Sequence, residues 1–70
     1  MKGSEFLRKV KAYTRRHKLS YDWVAARGVG SHGTIYVGAK MTVVKDLKKE
    51  LGLGLFHQMC KDLEIDPRKL

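Results

Sequence analysis

The sequence predicts an α+β fold in the order helix, strand, strand, strand, helix. Three observations carry that prediction. Apolar residues recur at helical spacing near both ends, branched and aromatic residues fill the middle, and glycine-rich breaks divide that middle into three short runs. Three strands joined by short turns pair as an antiparallel meander, and two helices then cover one face of the sheet.

Ser4 is a natural N-cap, and Glu5 follows at the positive end of the helix dipole. Phe6, Leu7, Val10, Tyr13 and His17 share one side of a helix expected over about 4–17, with basic residues on the other sides. His17 completes that stripe and reads as half-buried rather than functional. The run from Tyr21 to Arg27 suits a short strand, and Gly28-Val29-Gly30-Ser31 reads as a tight turn. A second strand over 32–37 puts Ile35 and Val37 on one face and His32, Thr34 and Tyr36 on the other. Gly38-Ala39-Lys40 forms the next turn and 41–44 the third strand. A charged connection over 45–52 leads to a second helix over about 53–63, whose buried stripe is Leu55, Phe56, Met59, Cys60 and Leu63. Asp66-Pro67 caps one more turn over 68–70. Trp23 and Phe56 belong to the core, Cys60 acts as a small hydrophobe, and His57 faces the surface or a partner.

Seventy residues make one domain, which buries only about 60% of its unfolded surface. Fifteen Lys or Arg stand against seven Asp or Glu, a net charge of +8, and the excess is concentrated. Residues 1–18 hold seven cations against Glu5 alone, and residues 39–50 hold four lysines against Asp46 and Glu50. Such asymmetry points to a polyanionic partner, nucleic acid first and an acidic protein second; the bland alternative is a solvated basic face. Cys60 is the one cysteine, so no internal disulfide forms, and three scattered histidines make no zinc cluster. No apolar run approaches the ~20 residues of a membrane span, and the opening residues lack the apolar core of a signal peptide. The expectation is a cytoplasmic protein with no membrane, metal or small-molecule cofactor.

His32 is the residue best suited to chemistry. It follows a glycine-rich segment, begins a strand, and lies opposite the face that carries Ile35 and Val37. With an ordinary pKa of ~6.5, an exposed imidazole transfers protons near neutral pH. Periodicity alone leaves an exposed histidine after a turn more often incidental than catalytic.

Four blocks carry a resemblance: Gly30-Ser31-His32, then Ile35, then Thr42-Val43-Val44, then Glu50-Leu51-x-x-Gly54-Leu55. With the opening Met1-Lys2-Gly3-Ser4-Glu5-Phe6 and the closing Lys61-Asp62-Leu63-Glu64-Ile65, the chain closely resembles the HicA toxin family over essentially its whole length. That resemblance implies a small messenger-RNA interferase with a double-stranded-RNA-binding-domain-like α-β-β-β-α fold, held in check by a HicB-type antitoxin. It implies His32 as the catalytic histidine, presented by an active-site turn of Gly30 and Ser31. Many members carry a proline and a second histidine after the third strand, where this chain has Val44 and Asp46. A mechanism that needs that second imidazole is therefore in doubt here.

RNA supplies its own nucleophile, the 2′-hydroxyl, so a ribonuclease of this kind needs a base, an acid and cations for the phosphorane charge. His32 can fill one proton-transfer role. Arg27, Lys40 and Lys45 are the nearest basic candidates for charge stabilisation, Tyr36 shares the His32 face, and the proton-transfer partner stays open. Lys9, Lys11, Arg15 and Arg16 on the first helix are candidates for tracking an RNA backbone. A non-catalytic RNA-binding module of the same fold is the competing expectation, followed by a basic subunit that only docks on an acidic protein. Gly30-Ser31-His32 favours the enzyme, because a pure binder has no need of an imidazole there.

Overall fold

Gly3, and not Ser4, opens the first helix, and its partners come from across the fold. The structure, a computed structural model, describes the backbone throughout residues 1–70 and every side chain but that of Val29. Helix α1 (Gly3–Arg16) has Lys2 at its N-cap with no side-chain hydrogen bond. Its free N–H groups are met by backbone carbonyls of the later connection: Gly3 donates to Lys49 at 3.2 Å and Ser4 to Leu47 at 2.9 Å. A Cβ on Gly3 would lie 2.7 Å from the Asp46 carbonyl oxygen, so only glycine permits this approach. Ser4 is exposed inside the helix, which corrects its expected capping role.

Strands β1 (Tyr21–Ala26), β2 (Val29–Val37) and β3 (Lys40–Val44) form one antiparallel sheet in the order β1-β2-β3. The fold is α+β in the order α-β-β-β-α, with both helices on one face. That face carries Ile35, Val37 and Val44, buried with Phe6 and Val10 of α1 and with Met59, Cys60 and Leu63 of α2 (Leu53–Leu63). The Phe6 and Phe56 rings meet edge to face at 6.0 Å, joining the two helices. A 3₁₀ turn, Pro67–Lys69, follows, with Asp66 accepting the Arg68 N–H at 3.0 Å. Hydrogen bonds from Arg68 hold the Asp66 carboxyl below its ordinary pKa. Burial raises the pKa of the Cys60 thiol, with Asp66 adding to the shift. Among the described residues, no helix is long and apolar enough to cross a membrane.

Two expected core positions differ, and one position not expected in the core is buried. His17 is exposed and stacks on Tyr13 at 4.1 Å, because α1 ends at Arg16 and the chain turns away. Leu55 is 45% exposed, because it lies in the first turn of α2 at the edge of the stripe centred on Met59, Cys60 and Leu63. Thr14, polar by sequence, is buried instead, its hydroxyl satisfied by the Lys11 carbonyl at 2.8 Å. Both helices end on a non-glycine residue at positive φ, Lys18 at 55° and Glu64 at 56°. In each case the next N–H reaches back into the helix, Leu19 to Thr14 and Ile65 to Cys60, both at 2.9 Å.

Candidate active site

The turn between β1 and β2 is only Arg27-Gly28, with Gly28 at φ 77°. Gly30 and Ser31 therefore belong to β2 and not to a turn. Pairing is regular from Tyr21↔Val37 to Ala25↔Gly33 and then jumps to Ala26↔Val29. Gly30, Ser31 and His32 are thus left over on β2 with no partner on β1. This is a β-bulge, a device that re-aims side chains at the end of a sheet. A Cβ at Gly30 would meet nothing within 4 Å, so the backbone there lies open to close approach.

Two contacts anchor the bulge. The Leu47 N–H donates to the Ser31 carbonyl at 3.0 Å, and the Leu47 carbonyl in turn receives the Ser4 N–H. Asp46 holds this segment in shape by accepting the Lys48 N–H at 2.8 Å, an Asx turn. Just past the bulge, a Cβ on Gly33 would lie 2.5 Å from the Val24 carbonyl oxygen and 2.6 Å from the Trp23 ring. Trp23 therefore lies across Gly33 on the helix face, where alternation leaves His32 on the other side.

His32 is exposed on the open face, as alternation requires, together with Tyr36 and the half-buried Thr34. The β2–β3 ladder ends at Gly33↔Val44, so His32 and Lys45, each one residue beyond that last pair, lie at the same end of the sheet. Lys45 is exposed, and Arg27 caps the same end of the sheet from the hairpin turn. Lys40 is not part of this group. It shares the parity of Thr42 and Val44, at the far end of β3, and its ammonium pairs with Glu64 at 2.6 Å. That pair joins residues far apart in sequence, which is why spacing did not reveal it.

The basic helix also separates from His32. The N-terminus of α1 adjoins the bulge through Leu47, whereas its C-terminus leads into Ser20 at the opposite end of the sheet, where Gly38 donates to Ser20 at 3.1 Å. Fourteen residues span about 20 Å. Lys9 and Lys11 therefore lie midway along the helix layer, and Arg15 and Arg16 at its far end. Arg16 reaches the Lys69 carbonyl at 3.4 Å, so the last turn of the chain joins that end. An apolar cleft of about 250 Å³ lined by Met1, Leu51, Leu53 and Phe56 includes none of the candidate residues. Among the described residues, no group of three or more His, Cys, Asp or Glu side chains is placed to hold a metal ion.

No family model, curated protein or solved structure matches the chain. The resemblance to HicA toxins thus rests on the quoted residues.

Proposed function

We propose that this chain is a metal-independent endoribonuclease, the toxin of a type II toxin–antitoxin pair. It cleaves messenger RNA in the cytoplasm and is inhibited by a HicB-type antitoxin. The observation that supports this reading best is His32, solvent-facing on a bulge anchored by Leu47, with the exposed Lys45 just past the same end of the sheet. A bulge that serves only to end a sheet has no need to hold an imidazole beside a cation.

The chemistry follows from RNA itself. The 2′-hydroxyl attacks the adjacent phosphorus, its proton leaves to a base, and the 5′-oxygen departs with a proton from an acid. His32 takes one of these two proton-transfer roles. Lys45 and Arg27 supply positive charge where the phosphorane becomes more negative, a contribution worth most in the transition state. Asp46 and Leu47 act through position, by fixing the bulge that carries His32. Because the nucleophile is internal, the products end in a 2′,3′-cyclic phosphate or the 3′-phosphate derived from it.

A second reading, a non-catalytic RNA-binding module, is favoured by one observation. Arg15 and Arg16 lie on the helix layer at the end remote from His32, where they can hold a polyanion without presenting it for cleavage. The test compares wild type with His32→Ala for cleavage, RNA affinity and melting temperature. The enzyme reading expects cleavage to vanish while affinity and melting temperature hold, since an exposed side chain contributes within ~0.5 kcal/mol. Salt-dependent binding with no cleavage by wild type would establish the binding module instead. A stable His32→Ala protein that still cuts at the wild-type rate would remove His32 from the mechanism.

A further inference from the structure

The open face of the sheet is the surface that the fold leaves unexplained. Its side chains are Asp22 and Val24 of β1, Thr34 and Tyr36 of β2, and Met41 and Val43 of β3, set together by the pairs Asp22↔Tyr36↔Met41 and Val24↔Thr34↔Val43. Val24, Tyr36, Met41 and Val43 are all exposed, and no helix or loop covers them. No lysine or arginine lies among them. The nearest cations by chain position, Lys45 and Arg27, follow β3 and β1 at the His32 end of the sheet.

We propose that this face is a base-stacking platform for a single RNA strand, with Tyr36 as the stacking residue. The proposal rests on the ribonuclease reading and extends it to how the substrate is held. His32 and Tyr36 are four residues apart on one strand and point to the same side, which separates them by about 13 Å along β2. A strand whose scissile phosphate lies at His32 and Lys45 therefore runs its neighbouring nucleotides over Tyr36. Unpaired bases have apolar faces that stack on an aromatic ring and lie against Val24, Met41 and Val43.

A duplex does not fit this chemistry. It turns its bases inward and presents phosphates, which need cations that the middle of the face lacks. A second copy of the chain does not fit by size. Three strands about 4.8 Å apart and some five residues long make a patch of roughly 14 by 17 Å. That is about 240 Å², far below the ~800 Å² per partner that stable interfaces bury. The copies would also bring two charges of +8 together.

The test uses the full chain carrying His32→Ala, so that RNA is bound and not cut. The probe is a short mixed-sequence RNA, offered as a single strand and as the annealed duplex. Tyr36→Ala is expected to weaken single-strand binding about 5- to 100-fold, the range seen for loss of one stacking partner. Duplex binding stays within about twofold, and Tyr36→Phe, which keeps the ring, retains single-strand affinity. Single-strand affinity unchanged in Tyr36→Ala would overturn the platform. So would an equal loss for strand and duplex, or a loss confined to self-association or to antitoxin binding. Failure of the ribonuclease reading looks different: the wild-type chain then cuts no RNA, whatever Tyr36 does.

Discussion

Val43 and Val44 are chain neighbours with the same side chain, yet the first is 53% exposed and the second fully buried. The contrast holds for the whole sheet. Ile35, Val37 and Val44 disappear under α1 and α2, while Val24, Tyr36, Met41 and Val43 face outward. Antiparallel sheets with one solvated face ordinarily alternate apolar and polar residues. Here the open face carries four large apolar side chains beside Asp22, Thr34 and His32, so their exposure is decided by which side the helices take and not by residue type. The uncovered side is also the side of His32.

The largest expected effect separates the two faces by stability. Ile35→Ala removes a fully buried side chain and is expected to cost about 2–5 kcal/mol. A chain of this length has only about 3–10 kcal/mol in total, so the variant is largely unfolded or close to it. Val43→Ala is expected to stay within ~0.5 kcal/mol. Urea midpoints measure both. Comparable losses would mean that the open face is covered after all.

Cleavage rate sharpens the same contrast between two lysines of similar sequence context. Lys45 follows β3 at the His32 end of the sheet, and Lys40 begins β3 on the helix face, paired with Glu64. Lys45→Ala is expected to lower kcat about 100-fold, typical of losing one group aimed at developing charge. Lys40→Ala is expected to change it less than twofold. The reverse ranking, read by single-turnover cleavage of a labelled RNA, would relocate the charge-stabilising cation.

Much of this arrangement is legible in the sequence, and the rest is hidden for identifiable reasons. The three strands, their order, the bounds of α2 and the face of His32 follow from periodicity and turn chemistry. The start of α1 does not, because its N–H groups are satisfied by carbonyls of residues 47 and 49. The bulge is equally invisible: glycines at 28 and 30 suggest a turn, and only the pairing shows that Gly28 makes the turn while Gly30 lies in the strand. Asp46 was legible in principle, since an Asp two residues before an exposed backbone N–H is an Asx-turn pattern. Trp23 over Gly33 is a tertiary contact between strands, which no local pattern encodes.

The smallest expected effect concerns the pair that Lys40 makes on the helix side. Glu64 ends α2 at φ 56°, a conformation that costs a non-glycine residue about 1 kcal/mol and that glycine adopts freely. Its carboxylate gains the Lys40 ammonium, but both side chains remain largely exposed, and such pairs contribute roughly 0–1 kcal/mol. Glycine also gives the unfolded chain more freedom, which offsets part of the relief. Glu64→Gly is therefore expected to raise stability by about 0.5 kcal/mol, a melting temperature 2–4 °C higher for a domain of this size. Lys40→Ala supplies the control, because it removes the pair and leaves the strained φ in place, so it is expected to lower the melting temperature slightly. A drop in Glu64→Gly larger than that of Lys40→Ala would show that Glu64 contributes more than the pair. A change in cleavage rate on freeing Lys40 would show that the helix side reaches the chemistry of the open face.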